Sequence, residues 1–142
     1  MPVEFFSEHI SPPSFNSGII GKWVETIIDK EDYTPGVINI IFCNDNYLLE
    51  LNNRYLNRDH YTDVLSFDNS ENQCINADIY ISLERVEENS KKYSVPFADE
   101  LNRVIIHGVL HLVNYNDSTE EEKKNMTEME NKYLEFLRSM TT

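Results

Sequence analysis

The sequence is poor in the residues that staple small folds. Only two cysteines occur in 142 residues, Cys43 and Cys74, and they form no CxxC pair, which excludes both a zinc ribbon and a disulfide framework. Both are expected to be small buried hydrophobes. Glycines number four, and no repeat, low-complexity run or flexible linker interrupts the chain. No stretch approaches the ~18 consecutive apolar residues of a membrane span. The opening MPVEFFSEHISPP has no basic leader followed by an apolar segment, so the chain is expected in the cytoplasm, away from membranes. Basic residues are also scarce, with 12 Lys and Arg against 25 Asp and Glu and a net charge of −13. That balance excludes broad, sequence-independent binding to a phosphate backbone. A small site built on a metal and a few arginines remains compatible with it.

Apolar material is plentiful: 40% of residues are hydrophobic, among them 7 Phe, 8 Tyr and one Trp. A chain of this length buries roughly two thirds of its unfolded surface, so a single domain over residues 1–142 with one core is expected, and a bound metal would serve chemistry rather than folding. Val3 to Phe6, Val37 to Cys43, Val64 to Phe67 and Ala77 to Ile81 read as strands. Thr34-Pro35-Gly36 is read as a turn, and DNSENQ as an antiparallel hairpin loop. Asn16 or Ser17 can cap a helix to Lys30, Asn44 or Asp45 one to Tyr55, and Ser82 a largely solvated one. Pro96 opens a helix to Leu112 with little polar surface, expected at the centre of the domain. Ser118 with Glu121, or Thr119 with Glu122, offers a capping box for a last helix.

The chemistry-bearing stretch is VIIHGVLHLV. His107 and His111 are four residues apart, which on a helix places them ~40° apart around the axis and ~6 Å along it, so both rings can reach one ion. The spacing alone is common in ordinary helices. Here both rings interrupt an apolar run, where a buried imidazole needs a partner. Gly108 costs ~1 kcal/mol in a helix interior, which calls either for close packing against a sheet or for another close approach to the backbone. Asp117, ten residues after His107, can cap the last helix or, since Ser118 and Thr119 are better caps, supply a third ligand. Two imidazoles and a carboxylate suit a divalent ion with water as a further ligand, zinc first. The glutamate of a zinc-protease HExxH is absent, because Gly108 stands in its place.

HGVLHLVNYND resembles the HGxLHLxGYDH signature of the YbeY family, bacterial metal-dependent endoribonucleases of ribosomal RNA maturation and ribosome quality control. LNNRYLNRDHYTDVLSF resembles the family segment around TDVLSF, and ADIYIS its GDIxIS strand. The resemblance runs from about Leu51 to Asp117, in the family's order. It implies an α/β (α+β) fold with a small mixed four-stranded sheet and about five helices. It also implies one Zn2+ on three side chains and endonucleolytic cleavage of single-stranded RNA in 16S rRNA 3′-end maturation. The implied partners are rRNA on ribosomal particles and ribosomal or assembly proteins. The alternative is a metal-stabilised ribosome-assembly interaction protein without hydrolytic activity.

His107 and His111 match the first two family ligands, and Asp117 replaces the third histidine. Leu56 stands where many relatives carry an arginine suited to a phosphate, which leaves Arg58 as the candidate catalytic residue, with Arg54 and Arg103 as further substitutes. Asn114 replaces a family glycine and tolerates a left-handed turn better than most residues. Asp63 is read as fixing the turn into its strand, and Ser66 as facing the cleft. Asp78 matches a motif without an assigned role, and His9 and His60 are read as surface residues.

Overall fold

The computed structural model describes residues 3–56 and 62–141. The strands are β1 (Val3–Ser7), β2 (Thr34–Cys43), β3 (Val64–Asp68) and β4 (Cys74–Ser82). The helices are α1 (Ser17–Lys30), α2 (Asp45–Leu56), α3 (Leu83–Lys92), α4 (Phe97–Leu112) and α5 (Glu120–Met140). The sheet order is β1-β2-β4-β3. β1, β2 and β4 run parallel, joined by crossovers that contain helices, while β3 pairs antiparallel with β4 through the short 69–73 loop. The mixed four-stranded sheet with five helices is the α+β architecture expected.

Local chemistry sets the element boundaries. Asn16 Oδ1 accepts the Ile19 N–H at 3.1 Å and opens α1. Asn44 does the same for Tyr47 at 2.8 Å before α2, and Ser82 for Arg85 at 3.2 Å before α3. At α5 Thr119, rather than Ser118, forms the reciprocal capping box with Glu122. Each such cap satisfies helix N–H groups that lack an internal partner.

One boundary differs from expectation. Thr34-Pro35-Gly36 is not a turn but the start of β2, where Thr34 and Pro35 pair with Cys74 and Ile75 across a register shift that ends at Ile38. A Cβ on Gly36 would lie 2.7 Å from the Ile75 carbonyl oxygen, so glycine serves close strand approach at a bulge. The chain reverses one step earlier, where Asp32 has φ 68°. Cys43 is buried as expected, whereas Cys74 is half-buried.

The larger core lies between the sheet and α1, α4 and α5, with Trp23, Ile27, Ile40, Ile79, Ile105, Val109 and Tyr133 among its buried members. Each large apolar side chain buried there contributes about 1.5–3 kcal/mol. The Trp23 indole N–H donates to the Tyr133 carbonyl at 2.9 Å and ties α1 to α5. A smaller cluster, Cys43, Leu48 and Leu65, lies under α2. Helix α4 is the central element anticipated, buried along Leu101, Val104, Ile105, Gly108, Val109 and Leu112. No helix among the described residues is long and apolar enough to cross a membrane.

Candidate metal centre

Helix α4 lies close to the sheet because residue 108 has no side chain. A Cβ there would stand 3.2 Å from Ile79 Cγ2 and from Val64 Cγ2, and 3.3 Å from Ser66 Oγ. Gly108 therefore answers to helix–sheet packing. Ser66 Oγ donates to the Gly108 carbonyl at 3.4 Å, so Ser66 faces α4. With Gly108 turned to the sheet, His107 and His111 occupy the neighbouring face near the C-terminal end of the helix.

The chain then has to come back toward them. Asn114 adopts φ 74°, its N–H reaches the His111 carbonyl at 3.4 Å, and the Tyr115 N–H reaches the Leu110 carbonyl at 3.0 Å. These are the two bonds of a Schellman ending, in which a left-handed residue closes the helix. Asn114 supports the turn further by donating its side-chain N–H to the Tyr33 hydroxyl. The Tyr115 hydroxyl donates to Glu31 at 2.8 Å, and Tyr133 donates to the other Glu31 oxygen. Burial, then the bond and charge of Glu31, push Tyr115 up to about 12, so its phenol remains a donor. The segment after α4 is thereby pinned to α1 and α5.

The result is a triangle of donor atoms. His107 Nε2 and His111 Nε2 are 3.1 Å apart, and Asp117 Oδ2 is 3.4 Å from each. Zinc with tetrahedral bonds of 2.0–2.1 Å needs ligand–ligand edges of about 3.3–3.4 Å, which these distances match. A metal-free network explains them less well, because 3.4 Å is long for a hydrogen bond from imidazole to carboxylate. Among the described residues, these three form the group of His, Cys, Asp and Glu side chains whose donor atoms come within a metal ion's reach of one another. The side chains are 26, 34 and 41% exposed. A fourth coordination position would therefore face solvent, as a site for chemistry requires.

Glu130 of α5 was not anticipated. Its Oε2 lies 2.7 Å from His107 Nδ1, so the ring donates Nδ1–H to the carboxylate, and in the neutral ring Nε2 is the nitrogen left to act as a ligand. This is the carboxylate support that fixes the tautomer of metal-binding histidines. Arg103 Nη1 donates to Glu130 Oε1 at 2.8 Å and its Nη2 to Asn131 Oδ1 at 2.8 Å. Burial opposes a charge on His107. The hydrogen bond and charge of Glu130, with Asp63 and Asp117, outweigh it and raise the imidazole pKa. A hint was present in the sequence: Glu130 sits within the apolar stripe Met126, Tyr133, Leu134, Leu137, where an acid needs a partner.

Two of the three candidate arginines are engaged by neighbouring side chains. Arg103 is committed to Glu130 and Asn131, and so serves the support of His107 instead of offering a free phosphate contact. Arg54 is exposed and paired with Glu50. Arg58 and His60 lie outside the described residues. His9 is exposed. Asp78 accepts from Asn39 at 3.0 Å within the sheet. Asp63 accepts the Ser82 N–H on its backbone carbonyl at 3.0 Å. Burial raises its side-chain pKa against the pull of His107.

A helix that brings two imidazoles and a carboxylate to one point, laid over a mixed four-stranded sheet, defines a single-sheet α+β protein with a solvent-open group of donor atoms able to hold a metal ion. The profile of the family described as Endoribonuclease YbeY matches residues 8–138, and the chain belongs to that family. It is 47% identical over 124 residues to the endoribonuclease YbeY of Karelsulcia muelleri, covering 87% of this chain and 88% of the relative. It is 50% identical over 115 residues to that of Flavobacterium psychrophilum, covering 81% and 82%. The solution structure of a Thermotoga maritima protein superposes with a TM-score of 0.66 at 29% identity, over 97% of this chain and 90% of that one.

Proposed function

We propose that the chain, an endoribonuclease by family, is a zinc-dependent enzyme cleaving single-stranded RNA at the His107–His111–Asp117 centre. Its place of action is the cytoplasm, in 16S rRNA 3′-end maturation and quality control on ribosomal particles. The observation that carries the metal assignment is the triangle of donor atoms with edges of 3.1, 3.4 and 3.4 Å.

In this reading His107 and His111 bind through Nε2 and Asp117 through Oδ2. Glu130 holds the His107 proton at Nδ1, and Arg103 holds Glu130 in place. A divalent ion held there would supply Lewis acidity toward a phosphoryl oxygen and ease ionisation of water. A carboxylate in place of a third imidazole adds negative charge and tempers that acidity. Peptide hydrolysis of the HExxH kind is disfavoured, because residue 108 faces the sheet and has no side chain to act as base. The net charge of −13 fits a substrate presented on a particle, with few nucleotides entering the site.

The test pairs metal content by mass spectrometry with cleavage of a short single-stranded RNA. The expected result is about one zinc per wild-type chain, with zinc and cleavage lost together in His111→Ala and Asp117→Ala. Zinc retained without cleavage, in the presence of ribosomal particles, would refute the nuclease reading.

A further inference from the structure

A cleft of about 670 Å³ opens beside α4, and its wall reaches His107 and Glu130 but neither His111 nor Asp117. It therefore lies to one side of the donor triangle. Asp63, Asp99, Glu100 and Glu130 line it together with Arg103 and Arg138. Arg103 is already bound to Glu130 and Asn131.

Glu100 is the unexplained member. It is 6% exposed, and its carboxylate has neither a hydrogen bond nor an ion pair among the described residues. Burial first, then the charges of Asp63 and Glu130, raise its pKa, with Arg103 pulling the other way. Asp63 is raised by burial too, against the pull of His107 and of backbone N–H groups that bond its carboxylate. Buried carboxylates are ordinarily hydrogen-bonded, paired or bound to a metal.

We propose that this cleft is a second cation site, in which Glu100 and Asp63 hold a hydrated divalent ion of the Mg2+ class, separate from the His107–His111–Asp117 centre. Two carboxylates and no nitrogen ligand suit a hard cation that keeps most of its water, while the imidazole pair suits zinc. The cleft has room for such a hydrated ion. An anion would meet the excess of carboxylates, and a neutral ligand would leave the charge on Glu100 unbalanced. The site does not depend on the nuclease reading.

Mn2+ serves as the probe, titrated into the zinc-loaded protein while its free fraction is followed by electron paramagnetic resonance. The expected result is one Mn2+ bound beyond the zinc. Its affinity should fall at least about tenfold in Glu100→Gln and in Asp63→Asn, while both variants keep the wild-type zinc content. Glu100→Gln preserves side-chain size and removes a buried charge, and a melt in chelator verifies its folding; Asp63→Asn gives an independent reading. The proposal is overturned if no Mn2+ binds, if both carboxamide variants bind as wild type does, or if the bound Mn2+ displaces the zinc.

Discussion

Glu130→Gln changes one atom in the support of His107, and its effect follows from the contacts. Glu130 now accepts two bonds, one per oxygen, from His107 Nδ1 at 2.7 Å and Arg103 Nη1 at 2.8 Å. Glutamine has a single acceptor oxygen, so whichever partner it serves, its NH2 group meets the other donor. The carboxylate charge behind the ring is lost as well. Removing a carboxylate of this kind typically weakens metal binding 10–100-fold, about 1.4–2.7 kcal/mol. Competition against a chromophoric chelator near pH 8 measures it. The pH dependence has a definite sign. Glu130 raises the pKa of His107, so proton competition begins at higher pH in wild type than in the variant, and the difference between them narrows toward acid. Zinc affinity within about twofold of wild type near pH 8, or a gap that widens on acidification, would refute the reasoning.

Three stability predictions follow from other contacts. Asn114→Ala should cost about 1–2 kcal/mol in urea unfolding, from a left-handed residue with a Cβ and the lost bond to Tyr33, whereas Asn114→Gly should lose little beyond that bond. Gly108→Ala gains about 1 kcal/mol of helix propensity but forces a methyl against Ile79, Val64 and Ser66 at 3.2–3.3 Å. Overpacking of about 1–3 kcal/mol should leave it less stable by about 1 kcal/mol in the same assay, and a more stable variant would show that the strands yield. In chelator, Glu100→Gln should be more stable than wild type near pH 7. The folded-state pKa of Glu100 is raised, so wild-type stability is lost as pH rises from the ordinary carboxylate range through that value. The advantage should vanish near pH 4, and one that grew toward acid would contradict the assignment.

The features legible in the chain were those fixed by near neighbours. Asn16, Ser82 and Thr119 cap helices because each bonds a backbone N–H three residues on. The two imidazoles meet because four residues make about one helical turn. The return of Asp117 follows from a local motif, since Asn114 can hold φ 74°. What escaped reading depends on partners far along the chain. Glu130 and Arg103 find each other 27 residues apart, and only the packing of α5 on α4 turns an apparent phosphate-binding arginine into a brace. Gly36 looks like a turn glycine beside Pro35, yet its requirement comes from Ile75 and Asn76 on the neighbouring strand. Glu100 lies on the buried stripe of α4, where composition gives no account of an acid and the cleft beyond it does.

The account rests on three side chains binding one ion, and X-ray absorption at the zinc edge of the zinc-loaded protein tests that most directly. The predicted shell has two imidazole nitrogens and oxygen ligands at about 2.0–2.2 Å, and His111→Ala is predicted to retain no stoichiometric zinc with that shell. A shell without imidazole, or one that His111→Ala and Asp117→Ala leave unchanged, would contradict it.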